Sequence, residues 1–238
     1  MIYHFDKTAS TNDDARDAKY RDGDIVWADF QTAGRGQRGH TWQSRAGENL
    51  TFSVVLEPTF LPVTEQFMLL EAVALALTDF FASLGVKTAV KWTNDIYVGD
   101  KKAVGILIEH SYAAGKLART IVGIGINVNQ TDFPSDIPNP VSLALLTGKR
   151  YELEALLRDF EQSLAYRYEQ LRRGEWDALQ SDYHSALYRR DERHIYALPN
   201  GEKFGGIIRG VKPQGELIVE LDDGRVTSFL FKEIEFII

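Results

Sequence analysis

The 238-residue chain contains no cysteine. That absence removes disulfides, thiolate nucleophiles and zinc sites built on sulfur, and it suits a cytoplasmic protein. The opening residues, Met1-Ile2-Tyr3-His4-Phe5-Asp6-Lys7, contain no basic region followed by an apolar run, so no secretory leader is expected there. The most apolar stretch, 67–84, carries Glu71 and Asp79, which favours a buried helix over a membrane span. A global positive field is missing too. The net charge is −7, so any anion site must be local, and neither nucleic acid nor a membrane is an expected partner. There is no internal repeat and no low-complexity segment. What the chain does have is core material: 44% of it is hydrophobic.

Strands are expected at 2–5, 25–30 and 50–56, the last closed by Pro58. Thr11 and Asp14 have capping-box spacing, which predicts a helix over 11–20 before Gly23. A long helix runs from Thr64 to Leu84, stopped by Gly85, and being apolar nearly all round it should lie under other elements. Strand-like runs follow at 89–92, 96–98, 103–110 and 120–128, with a tight turn at Gly99-Asp100. Such short connections imply a mainly antiparallel or mixed sheet, hence an α+β fold. Two helices are expected at 152–173 and 176–188. Beyond Arg193, short β-rich runs alternate with turns at Pro199-Asn200-Gly201, Pro213-Gln214-Gly215 and Asp222-Asp223-Gly224, which reads as a small β-barrel. The division is therefore 1–190 and 191–238.

Three constellations could carry chemistry. Gln31-Thr32-Ala33-Gly34-Arg35-Gly36-Gln37-Arg38-Gly39-His40-Thr41-Trp42 combines glycines, which let the backbone approach a ligand, with two permanently charged forks and a flat indole. It matches neither a P-loop nor the dinucleotide fingerprint, and a solvated loop remains an alternative. Lys91-Trp92-Thr93-Asn94-Asp95 leaves one strand for the hairpin that ends in Lys101-Lys102, and an Asn-Asp turn beside a solvated lysine pair would look the same. In Gly123-Ile124-Gly125-Ile126-Asn127, glycines inside a strand mark a bulge or a close approach. That approach is by a ligand or by a packed helix, and Asn127 adds an amide suited to an adenine edge.

Taken in order, these segments together with Ser10-Thr11-Asn12 and Lys102-Ala103-Val104-Gly105-Ile106 closely resemble the biotin protein ligases over essentially the whole length. The resemblance implies a mixed sheet packed against helices, like a class II aminoacyl-tRNA synthetase, with a small C-terminal SH3-like β-barrel. It implies two steps: biotin and ATP give biotinyl-5′-AMP and pyrophosphate, and the biotinyl group then passes to one lysine of a biotin carboxyl carrier protein domain. Magnesium is expected on the phosphates, without a protein cage of its own. Joining a carboxylate to a phosphate requires cations, so Lys102 is expected at the centre and Arg35 as the ligand-facing charge of the loop, with Arg38 in support. By the same resemblance Ser10, Thr11, Asn12, Gln31 and Gly34 would hold biotin, with Arg35, Lys102, Gly105 and Gly123. The two glycines would let the sheet lie flat against it. Arg38, Trp42, Asn94 and Asn127 would meet the nucleotide. The loop is expected to order around ligand and exclude water from the intermediate.

The chain departs from the family pattern at Thr93, where a proline is frequent, and at Gln37, where some members carry a further arginine. No winged-helix module is expected before Ile2, which argues against a repressor role. A homodimer is also expected from relatives, although no residue here identifies its sheet edge. The rival readings are a lipoate–protein ligase and a non-catalytic binder of biotin or nucleotide.

Overall fold

Small and polar residues alternate with large apolar ones along the central strands, and this decides which way the main sheet faces. The computed structural model describes residues 1–39 and 41–238. Seven strands form that sheet: β1 (Ile2–Thr8), β2 (Ile25–Gln31), β3 (Leu50–Leu56), β4 (Ala89–Lys91), β5 (Asp95–Val98), β6 (Lys101–Ala113) and β7 (Lys116–Ile126). Their order is β1-β2-β3-β7-β6-β5-β4, so β7 and β3 are central. The β1–β2 pair is parallel and the other pairs are antiparallel. A parallel pair needs a crossover, and the segment carrying the short helix α1 (Thr11–Asp14) supplies it.

Phe52, Val54, Ile106, Val122 and Ile124 point to one face and join the main core with α2 (Phe67–Ser83), α4 (Leu153–Arg172) and α5 (Trp176–Ala186). Helix α2 is buried nearly all round, as its composition predicts. The segment Val63–Ser83 is apolar and long enough to cross a membrane, but 67% of its most apolar window is buried inside this protein. Thr51, Ser53, Gly105, Gly123 and Gly125 alternate with the apolar set and face the other way. On that second face Ala15, Tyr20, Val26, Val55 and Ile121 form a smaller core.

The C-terminal segment makes a five-stranded antiparallel sheet from β8 (Arg193–Ala197), β9 (Lys203–Val211), β10 (Leu217–Leu221), β11 (Val226–Phe229) and β12 (Glu235–Phe236), in the order β11-β10-β9-β8-β12. Ile208, Val211, Leu217, Val219 and Ile234 belong to the same core as the helices, and Trp92 Nε1 donates to Gly215 O at 2.9 Å. The second sheet is thus welded onto the first.

Two expectations need correction, and one helix is additional. The helix expected over 11–20 is one turn long. Thr11 does not cap it; its N–H and hydroxyl go to Gln31 Oε1 at 2.8 and 3.2 Å. Arg119 then takes the carbonyls of Ala15, Asp17 and Tyr20, and holds that stretch as turns. The strands expected at 103–110 and 120–128 are one continuous hairpin, closed at Ala114-Gly115, where both residues have positive φ. A helix absent from the sequence reading, α3 (Leu143–Thr147), is capped by Ser142, whose side chain accepts from Leu145 N, and ends at Gly148 in the left-handed region.

Candidate active site

Two adjoining cavities open on the glycine face of the sheet. The first, of about 310 Å³, is lined by Ser10, Thr11, Asn12, Gln31, Arg35, Lys91, Asn94, Asp95, Gly105 and Gly123, among others. The second, of about 320 Å³, is walled by Asn127, Phe133, Asp136, Ile137, Pro138 and Pro140. Thr41, Trp42 and Lys102 line both. Each volume lies at the lower end of the usual small-molecule range, about 300–1,000 Å³.

The floor of the first cavity is a closed hydrogen-bond network. The Ser53 hydroxyl donates to Asn12 Oδ1 at 2.6 Å and lies 2.7 Å from the Thr11 hydroxyl. Asn12 Nδ2 donates to Glu109 at 2.8 Å, and Glu109 also takes Arg16 at 2.9 Å and Arg35 at 3.1 Å. Burial raises the Glu109 pKa, but Asn12 and the two arginines outweigh it and hold the carboxyl below its ordinary range. Ser10, Thr11 and Asn12 are almost fully buried, and the bonded side chains of Thr11 and Asn12 are fixed in orientation before any ligand arrives.

The loop after β2 folds back over this cavity. Trp42 N donates to Gly34 O at 3.0 Å, and a Cβ on Gly34 would stand 2.6 Å from Trp42 O. Arg35 bridges to Thr41, and its guanidinium reaches Asp13 at 2.8 Å as well as Glu109. The expected ligand-facing charge is therefore engaged with two carboxylates. The Trp42 indole lies on Gly105 and Gly125, which are register partners on β6 and β7; a Cβ would come within 2.8 Å of the ring at Gly105 and 2.2 Å at Gly125.

The glycines accommodate side chains of the protein itself. Gly105 and Gly125 seat the indole, and a Cβ at Gly123 would stand 2.2 Å from Asn12 Oδ1. The flat floor receives side chains of this protein, and they in turn shape the cavity.

Lys102 stands where the cavities meet. Its Nζ is 2.7 Å from Asp95 Oδ1 and 5.8 Å from the Trp42 ring centre. The Lys102 backbone is held by Asn139 and Val141 from the loop before α3. Asn94 and Asn127, grouped together by sequence, are separated here. Asn94 lines the first cavity and donates to Ile106 O at 2.7 Å, whereas Asn127 lines the second. The side chain of Arg38 lies outside the described residues. The Trp92–Thr93 peptide at the departure Thr93 is cis.

Sequence reasoning missed Glu109, the partner of the site residues Asn12 and Arg35, and the apolar wall formed by Phe133, Ile137, Pro138 and Pro140. The second had a signal: apolar residues concentrated in a proline-containing loop. At the β1–β2 edge, His4, Asp6 and Asp29 bring ligand atoms within 4.8 Å of one another. None of these three residues lines either cavity, and the His4–Asp29 contact of 2.9 Å with the stack on Trp27 accounts for the position of the imidazole.

Two adjoining cavities thus share a wall that carries a cation, Lys102. Residues 2–127 match the biotin/lipoate A/B protein ligase family, and the chain belongs to it. It is 30% identical over 230 residues to the bifunctional ligase/repressor BirA of Bacillus subtilis, covering 94% of this chain and 70% of that protein. Identity to the biotin–[acetyl-CoA-carboxylase] ligase of Mycobacterium tuberculosis is also 30%, over 90% of this chain and 81% of the relative. The fold resembles the biotin protein ligase of Aquifex aeolicus solved with biotin and ATP, with a TM-score of 0.83, 24% identity and coverage of 98% and 97%.

Proposed function

We propose that this protein is an ATP-dependent biotin ligase: it makes biotinyl-5′-AMP and passes the biotinyl group to a lysine of a carrier domain. The observation that carries this reading is the placing of Lys102 and Trp42 in the wall shared by both cavities. The relatives' names favour biotin over lipoate.

In the first step a biotin carboxylate oxygen attacks the α-phosphorus, and pyrophosphate leaves. Both reactants are anions, so a cation at their meeting point lowers the barrier more than it tightens either ligand alone. Lys102 supplies it, with Asp95 aiming the ammonium. Ser10, Thr11, Asn12 and Gln31 present donors and acceptors to the ureido ring, with Gly34 and the glycine floor beneath. Asn127 and the wall of residues 133–140 receive the nucleotide, and Trp42 separates the two compartments. ATP comes as its magnesium complex, the metal travelling with the phosphates. In the second step a neutral carrier lysine attacks the anhydride carbonyl carbon and AMP leaves. The Gln31–Trp42 segment, closed by Arg35, limits hydrolysis of the anhydride before then.

The acceptor class, the 1–190 and 191–238 division, homodimer formation and a cytoplasmic location belong to the same proposal. The test is turnover by the purified protein with ATP, magnesium, an apo carrier domain and either biotin or lipoate. Biotin-dependent release of AMP and pyrophosphate with labelled carrier is expected. Turnover with lipoate alone, or with neither acid, would overturn the reading.

A further inference from the structure

Charges around the first cavity do not balance. Three described basic side chains line it: Arg35, Lys91 and Lys102. Arg35 is paired with Asp13 and Glu109, and Lys102 with Asp95. Arg189, close enough to act on Lys91, is 3.7 Å from Asp100 and donates to Ile237 O. Lys91 is different. Among the described residues its ammonium has no ion pair and no hydrogen bond; it lies instead over two aromatic rings, 5.2 Å from the centre of Tyr97 and 4.9 Å from that of Phe236. Burial pulls its pKa down, Asp95 opposes this, and Lys102 and Arg189 push the same way as burial.

Ring faces steady an ammonium but do not neutralise it. Lys91 is half-buried at the cavity wall, so its ammonium has lost part of its hydration without gaining a counter-charge, and an anion entering the cavity would complete it. We propose that Lys91 binds the phosphate chain of ATP, and that the C-terminal strand β12 holds it in place for that purpose through Phe236. This rests on the adenylation reading above. An ATP joined to biotin at Lys102 must lay its β- and γ-phosphates beyond that residue, and Lys91 is on the neighbouring strand pair, opposite Asp95 in register. The second sheet then takes part in the site directly: β12 braces the cation, Gly215 fixes Trp92, and the Trp92 ring meets Phe231, a further lining residue, with centres 6.3 Å apart.

The experiment compares wild type, Lys91→Met and Phe236→Leu in biotin-dependent pyrophosphate exchange. Biotin affinity without ATP and transfer from pre-formed biotinyl-5′-AMP to the carrier are measured alongside. Lys91→Met is expected to raise KM for ATP by about tenfold or more, the loss appropriate to a charge-assisted hydrogen bond. Phe236→Leu should shift it the same way by a smaller factor. Biotin affinity and transfer from the pre-formed intermediate should stay at wild-type values in both. Inhibition by tripolyphosphate gives a second readout, and Lys91→Gln is the fallback if the methionine variant does not fold. An unchanged KM for ATP in a folded Lys91 variant, or an equal loss of biotin affinity, would overturn the inference. Failure of the wild type to exchange pyrophosphate would instead overturn the functional reading beneath it.

Discussion

The two ends of the first cavity are built on opposite principles. At the Ser10–Asn12 end the side chains of Thr11, Asn12 and Ser53 are bonded to protein groups, and one carboxylate, Glu109, joins the floor to the loop above it. At the Lys91–Lys102 end there are two ammonium groups and one carboxylate lining the cavity. The first arrangement fixes shape, so it suits a neutral ring recognised by direction. The second keeps charge in excess, so it suits an anion recognised by strength. A single pocket can thus be rigid at one end and electrostatically incomplete at the other.

The largest test of this contrast is Lys102→Ala. Adenylate formation should fall by about a hundredfold or more, as when a donor to developing charge is removed, while biotin affinity changes much less. Pyrophosphate exchange and a biotin titration measure the two separately, and equal losses would erase the distinction between the ends.

Next in size is a crossed pair of glycine substitutions. Gly123→Ala should displace Asn12 and weaken biotin binding by about tenfold, whereas Gly125→Ala should displace the Trp42 indole and weaken ATP by a similar factor. If both variants lose both ligands alike, the floor is one unit.

Smaller again is Glu109→Gln, which keeps an acceptor for Asn12 but drops the charge facing Arg35. Release of pre-formed biotinyl-5′-AMP should quicken about threefold to tenfold, in proportion to an exposed-to-half-buried charge pair. Combining it with Arg35→Ala should add nothing further. Additive effects in a chase experiment would show that the two residues act separately.

A separate test concerns stability and lies outside the cavity. Glu71, inside α2, is a fully buried carboxyl group, and among the described residues neither of its oxygens has a hydrogen-bond partner. Unlike Lys91 it lines neither of the two cavities, and burial pushes its pKa up to about 8 from 4.5. The folded protein therefore holds a proton that the unfolded chain releases. Stability should fall as pH rises between those two values, by at most about 1.4 kcal/mol per unit. Glu71→Gln should flatten that slope in denaturant titrations at pH 5, 6 and 7.

The strands, the long helix and the five motifs were legible because they rest on short-range patterns: period-two alternation, turn glycines and an all-apolar helix. The pairings that shape the site were not. Glu109 meets Asn12 across 97 positions, and nothing near either residue announces the other. Gly123 and Gly125 could be read as sites of close approach, yet the sequence did not say that Asn12 and Trp42 make it. Helix α1 is short for the same reason: Arg119, about a hundred residues downstream, captures the carbonyls of Ala15, Asp17 and Tyr20 just after it.

The shared wall has a consequence for the order of events. Trp42 and Lys102 border both cavities, so a ligand that tilts the indole or draws the ammonium in one compartment alters the other. The two substrates are then thermodynamically linked. Whatever factor biotin contributes to ATP affinity, ATP must return to biotin.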